Sequence, residues 1–409
     1  MKILAIFLGL LAISLSIAPI MALPPDVVYV DEGESIQDAI GNVAVGGTVI
    51  VGPGTYVENI IIGKALTLQG ASKETTKIRG TAGTTNTVSI KASNVTLKNL
   101  TIYNDQRPSA PNPSSAIFLV EIGYHGVSNV VLENNTIGPQ MAADGSSGGG
   151  MAVAIGGVTV PTTNITIINN EIRDIKGNGC GIFIWAAKAK DGAQGYNGLV
   201  QNVLIENNYI HDIRRTGIES AGNVKDITIR NNTIKNCGGM FPGDVHPKYG
   251  NGIALFKNGS YEVNAPGEDS ERRNILIFNN DIQNIHNMGI YLFGSSHGVT
   301  IDYNRITKVT KYGIMLDSLA GPDTPDPSVP LPSIKYKQKD DAFSNILISR
   351  NTMGVNGKDI ELRTAYAPTI IKLANHPMAS ILKILKRNYQ KNHGTEPEGT
   401  VEGPAEPEG

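Results

Sequence analysis

The sequence predicts an all-β, single-domain parallel solenoid, and three observations carry that expectation. First, a nine-residue pattern recurs, at Asn94 (NVTLKNLTI), Asn129 (NVVLENNTI), Asn164 (NITIINNEI), Asn202 (NVLIENNYI), Asp226 (DITIRNNTI), Asn274 (NILIFNNDI), Gly298 (GVTIDYNRI) and Asn345 (NILISRNTM). Second, the copies are spaced by 35, 35, 38, 24, 48, 24 and 47 residues. The shortest spacing is too small for a pair of helices, and the alternation within each copy has the period of two of a strand. Third, 46 Gly and 37 Asn stand beside 40% hydrophobic and only 18% charged residues in a chain of 409. That composition suits tight bends between short apolar strands. It excludes coiled coils, helical solenoids and disorder as the main architecture. A formal net charge of -2 gives no basic excess to hold a phosphate backbone, so no nucleic-acid partner is expected.

Residues 1–22 read as a secretory signal peptide. Lys2 precedes an uncharged apolar run from Ile3 to Leu23, with Ala22 as the last residue before cleavage. Ile20 stands where a small residue is expected, and an uncleaved anchor is the alternative, since about 20 apolar residues can span a bilayer. In both cases the body is expected outside the membrane, secreted or at the cell surface. Within the repeat region a second strand follows several of the copies: GIFIW from Gly181, GIESA from Gly217, GIALF from Gly252, GIYLF from Gly289, GIMLD from Gly313 and DIELR from Asp359. Paired asparagines (Asn134/Asn135, Asn169/Asn170, Asn207/Asn208, Asn231/Asn232, Asn279/Asn280) mark the bends. Asn tolerates the left-handed conformation, and its amide can bond to the same position of the next coil. Inward positions such as Ile165, Ile167 and Ile172 are aliphatic.

On these motifs the chain resembles a right-handed parallel β-helix of the pectin lyase-like superfamily, in its NosD-type repeat group. The opening is similar to the N-terminal portion of that superfamily: SIQDAIGNV, from Ser35, reads as a short capping helix, and TVIVGPGTYVENIII and ALTLQG as the first coils. The resemblance covers residues 27–365. It implies a fold and leaves the activity open, because the superfamily holds lyases, hydrolases, esterases, epimerases, adhesins and accessory proteins. After it, residues 376–393 read as an amphipathic C-terminal helix, with Met378, Ile381, Leu382 and Leu385 on one face. Capping the last coil is its expected role, and membrane-surface binding the alternative. Residues 394–409, rich in Gly, Pro and Glu, read as a disordered acidic tail.

The longer repeat spacings locate insertions, at Ala186 to Gln201, Asn236 to Gly250, Lys257 to Arg273 and Ser318 to Ser344. All border the GI strands, which points to that sheet as the floor of a groove, although surface loops also grow without function. Alternation places Phe183 and Trp185, Glu219 and Ala221, Ala254 and Phe256, Tyr291 and Phe293, Met315 and Asp317, and Glu361 and Arg363 outward. Five aromatics on one face of a chain that is 6% aromatic suit the apolar faces of sugar rings. They equally suit a ladder packed beneath long loops. The candidate substrate-binding residues are therefore Phe183, Trp185, Glu219, Phe256, Tyr291 and Phe293, and the expected partner is a polysaccharide or cell-wall glycan.

At the C-terminal end of the face, Asp317, Glu361 and Arg363 are the candidate catalytic group. Strand geometry sets Asp317 beside Arg363, ~5 Å away, and Glu361 on the diagonal at ~8 Å, within the range of paired carboxylates that flank an attacking water. Elimination from a uronate is a second chemistry, with Arg363 neutralising the substrate and the carboxylates holding Ca²⁺. An ordinary solvated Asp–Arg pair is a third reading. The family comparison supplies no catalytic motif. The paired Asp of polygalacturonase-like members and the Asp motifs of pectin methylesterases have no match on the GI strands. Asp244-Val245-His246-Pro247 is only faintly similar to the DPHD motif of mannuronan epimerases.

The seven His are scattered without ligand spacing, so no metal site is expected from them. Cys237 aligns with Ile175, Ile213, Ile285 and Val309 on the inward side, and Cys180 lies two coils earlier, ~10 Å away and beyond an unstrained disulfide. Two free buried thiols are expected. Sequons occur at Asn94, Asn99, Asn134, Asn164, Asn231 and Asn258, five of them produced by the repeat itself. Asn258, in a loop, reads as the best acceptor. The resulting expectation is an exported β-helix protein that binds, with cleavage as lyase or hydrolase left open, an extended polysaccharide along the GI strands. The alternative is a non-catalytic structural or adhesive cell-surface protein.

Overall fold

The computed structural model describes residues 23–81, 86–106, 117–124, 126–141, 150–176, 179–186, 198–238, 250–256, 272–294, 296–317, 343–363 and 371–374. The chain winds through three parallel sheets. The first has twelve strands, from Val27–Val30 to Ile371–Ala374, and carries the opening half of the nine-residue pattern, which crosses a corner into the second. The second has ten, from Gly54–Val57 to Thr352–Gly354, and the third has ten, from Ile60–Ile62 to Lys358–Arg363. Each coil visits the three in order, so ten complete coils stand between an extra first-sheet strand at either end. The last strand, Ile371–Ala374, pairs with Phe343–Ser349. The solenoid thus extends past residue 365, where the sequence pattern fades. The segments 1–22, 376–393 and 394–409 lie outside the described residues.

Register follows from the repeat. Ile165 and Ile167 pair with Val203 and Ile205, and Ile172 with Ile210. All six are buried in one core that runs the length of the solenoid, because each coil can cover its inward face only with its neighbours. Cys237 sits in that core between Ile213 and Ile285, as the alignment predicts.

The bend from first to second sheet takes two residues from Lys98 onward, and the two members of each asparagine pair divide the work. The first is left-handed: Asn134 has φ 52°, Asn169 59°, Asn207 55°, Asn231 57° and Asn279 52°. The second turns inward and builds a buried ladder through Asn135, Asn170, Asn208, Asn232, Asn280, Asn304 and Asn351. The backbone N–H and Nδ2 of Asn208 both donate to Oδ1 of Asn232, at 2.9 and 3.0 Å, while Nδ2 also donates to the Ile167 carbonyl at 2.9 Å. The same bonds recur one coil on, from Asn232 to Asn280 and to the Ile205 carbonyl. A second amide ladder runs on the surface at the start of the pattern, where Asn129, Asn164 and Asn202 donate to Asn94, Asn129 and Asn164.

The left-handed corner loses its asparagine twice, at Tyr303 (φ 57°) and Arg350 (φ 51°). There the guanidinium lies 4.1 Å over the tyrosine ring and pairs with Asp302. Burial opposes the charged form of Asp302, but hydrogen bonds from Arg350 and Ser349 outweigh it and lower its pKa.

The N-terminal end is sealed by the helix Ile36–Asn42, with Ser35 as its N-cap, as the sequence predicts. Glu58, from the first coil, accepts from the backbone N–H groups of Ile36 and Gln37, which have no partner within the helix. Gln37 accepts from the Ile61 N–H and donates to the Ile61 carbonyl. Its amide therefore occupies the open edge of the third sheet, where another strand could otherwise add.

The buried ladder makes a quantitative expectation. Asn232→Ala removes the acceptor of two buried donors on Asn208, each costing about 1–3 kcal/mol when unsatisfied. Asn231→Ala instead forces a Cβ-bearing residue without a local hydrogen bond into the left-handed region, at about 1–2 kcal/mol. Urea unfolding should therefore rank Asn232→Ala as the more damaging of the two.

Candidate functional site

Every long connection borders the third sheet. Residues 105–116, 141–149 and 238–252 lead into it, and 187–199, 257–271 and 318–342 lead out of it. The sequence locates four of these six. The stretches at 105–116 and 141–149 escape it because the strands they precede, Ile117–Tyr124 and Gly150–Gly157, do not begin with the GI pair.

The outward face has the two predicted columns, coil by coil. One runs Phe183, Glu219, Ala254, Tyr291, Met315, Glu361; the other runs Trp185, Ala221, Phe256, Phe293, Asp317, with Arg363 at the next register position of the backbone. Toward the N-terminus the first column continues through Ala154, Glu121 and Ser89. Glu121 is a member the sequence reading missed. The alternation of IFLVEIGY, with Val120 and Ile122 inward, was the available signal. Its carboxylate accepts from Asn86 Nδ2 at 2.7 Å and from Ser89 Oγ at 2.9 Å.

Apolar and ionic groups alternate along this face. Phe118, Met151 and Ala154 pack with Phe183. Farther along, Ala254, Met288, Tyr291 and Met315 pack with Phe256, Phe293 and Tyr312. Rings contact one another there, Phe256 meeting Tyr291 edge-on at 5.5 Å and Phe293 at 6.3 Å. Between the two clusters sits Glu219, which accepts from Arg215 at 3.1 Å and from the Cys180 thiol at 3.2 Å. Burial first, and then the negative charge of Glu219, push the Cys180 thiol well above its ordinary pKa. Cys180 thus belongs to the outward ionic node, whereas Cys237 belongs to the core. Both are buried and free.

Burial corrects the picture of an open floor. Phe183, Trp185, Phe256 and Phe293 are half-buried and keep part of their surface, but Glu219, Tyr291 and Asp317 are buried. Asp317 is 0% exposed, so it is not one half of a solvated ion pair. The register does place Asp317 beside Arg363 and Glu361 on the diagonal. The Glu361 carboxylate accepts from Lys358 at 3.0 Å. Among the described residues no three His, Cys, Asp or Glu come together as a cation site. His246 and the connection 318–342 lie outside the described residues.

Residues 59–265 and 156–325 match the family described as the right-handed beta helix region. The chain belongs to the right-handed β-helix family. It is 26% identical over 287 residues to a cell surface glycoprotein of Methanothermus fervidus, a match that takes in 60% of this chain and 45% of that protein. The chain thus spans about half the length of this curated relative. Among solved structures, full-length tailspike protein 2 from an Escherichia coli O157:H7 bacteriophage aligns with 83% of this chain and 39% of its own, at a TM-score of 0.51 and 10% identity. The family 28 exopolygalacturonase of Yersinia enterocolitica aligns with 86% of this chain and 78% of its own, at 0.43 and 13%. At 10% identity the tailspike shows a shared fold alone. Among the described residues no helix is long and apolar enough to cross a membrane.

The two thiols give a direct check. An aromatic disulfide reagent should find no reactive thiol in the native β-helix and two after unfolding without reductant. Recovery of none after unfolding would show a disulfide.

Proposed function

We propose that this β-helix is an exported surface protein that binds an extended polysaccharide along the outward face of its third sheet. One observation carries the reading: half-buried aromatics, Phe183, Trp185, Phe256 and Phe293, line the sheet that all the long connections border. Strand stacking repeats this face every ~4.8 Å, so a periodic ligand meets a periodic set of contacts. Rings with one free surface can cover the apolar side of a sugar while polar neighbours take its hydroxyls. The cell-surface name of the M. fervidus relative supports the location, and the signal-like residues 1–22 support export.

Cleavage is the finer form of the proposal. Asp317, Glu361 and Arg363 are its catalytic group, as an acid–base pair of carboxylates or as a uronate-binding lyase site with Ca²⁺ on Asp317 and Glu361. Because Asp317 is fully buried, catalysis there requires its cover to open. That burial, together with the mutual packing of Phe256, Tyr291 and Phe293, favours a second reading, a rigid structural or adhesive rod whose face is packed.

Affinity electrophoresis and calorimetry against neutral and uronate polysaccharides separate the two. Binding by the unmodified protein should weaken about tenfold in Trp185→Ala and in Phe256→Ala, on the order of 1 kcal/mol for each ring. No binding to any glycan selects the rod, and binding undiminished in both variants removes the glycan from this face. On a substrate that is cleaved, Glu361→Gln should abolish turnover and leave the fold intact. Unchanged turnover ends the assignment of the catalytic group.

A further inference from the structure

The sequons of the repeat are not equivalent once folded. N-linked glycans attach to Nδ2 of Asn in Asn-x-Ser/Thr. At Asn134 that nitrogen donates to Asn99 Oδ1 at 2.8 Å, at Asn164 to Asn129 Oδ1 at 3.0 Å, and at Asn231 to Glu206 Oε1 at 3.2 Å. A sugar there leaves a single hydrogen to keep the bond, with neighbouring rungs only ~4.8 Å away on both sides. Asn94 and Asn99 differ because they are the first rungs of their ladders. Each uses Oδ1 to accept from the coil above, from Asn129 and Asn134, both at 2.8 Å. Neither Nδ2 has a partner among the described residues. In the preceding coil, Leu66 pairs with Val95 and Gln69 with Lys98, which sets Ala65 and Gly70 beneath Asn94 and Asn99. Those two residues offer no side-chain amide and the least bulk. Asn94 is exposed, Asn99 is half-buried, and both are left-handed, at φ 59° and 58°.

We infer that Asn94 and Asn99 are the N-glycan acceptors of the described solenoid, with Asn134, Asn164 and Asn231 kept unmodified by the hydrogen bonds of their Nδ2 groups. The two sites flank the strand Val95–Lys98 of the first sheet, so their glycans leave the outward face of the third sheet clear. The inference rests on the export reading, since only an exported chain meets the glycan donor assumed here, but not on polysaccharide binding.

The test is peptide-level mass spectrometry of the full chain purified from its own cells. Glycopeptides should contain Asn94 and Asn99, and the peptides with Asn134, Asn164 and Asn231 should have unmodified mass. Asn94→Asp and Asn99→Asp keep a left-handed-tolerant residue and the accepting oxygen, so each should fold and lose one glycan. Thr96→Val destroys the first sequon without touching Asn94 and should give the same mass loss. It is tolerated by shape, because Val131 holds the same position one coil on. A glycan on Asn134, Asn164 or Asn231, or bare Asn94 and Asn99 on protein recovered outside the cell, overturns the inference and leaves export standing. Protein retained inside the cell with residues 1–22 attached and no glycan overturns both.

Discussion

The two-residue bend from first to second sheet is the constraint on which the rest of the molecule depends. A parallel strand pair has no hairpin to set its register, so the register must be fixed at the corners. Here a left-handed residue reverses the chain, and the next side chain enters the core as an amide that bonds to its own copies above and below. A buried amide without partners is costly, and a slip by one residue would strand a whole column of them. The ladder therefore selects a single register, from Asn135 to Asn351, and holds adjacent coils in phase although the chain between them varies in length.

With that corner rigid and short, variation is confined elsewhere. All the long connections gather at the two margins of the third sheet, which among the described residues is the one sheet whose outward face carries large apolar clusters. Insertions and apolar surface belong together physically: an outward aromatic on a β-helix has no core to enter, so it needs a cover, a partner or both. The first and second sheets, by contrast, show outward threonines and cross-coil ion pairs such as Arg230–Glu206 and Arg305–Asp281, which water solvates well. The ends are handled separately. Glu58 and Gln37 bind the capping helix to the first coil, so the third sheet does not begin as an open edge.

On the outward face of the third sheet, charge is placed where it is compensated. Glu219 has Arg215 and the Cys180 thiol, Glu361 has Lys358, and Glu121 has Asn86 and Ser89. Such arrangements hold a carboxylate in place with little net gain in stability. They also set fixed polar points between apolar stretches, the alternation that a chain of sugars presents. The same compensation serves a packed rod, so the half-buried aromatics Phe183, Trp185, Phe256 and Phe293 distinguish the two readings.

The repeat by itself determined the parallel solenoid, the inward aliphatic columns, the core position of Cys237 and the pairing of Asp317 with Arg363. A period of two and a fixed corner leave no freedom in which residues are neighbours. The sequence was weaker where pattern gives way. The strands at Ile117, Gly150 and Ile371 lack the GI or Asn signature, so Glu121 and the last strand went unread. Tertiary structure alone decided which member of each asparagine pair turns inward, that Cys180 faces Glu219, and how much of the outward face is covered. Those outcomes depend on atoms brought in from coils and connections dozens of residues away, and alternation reports the side on which a residue lies without reporting what lies over it.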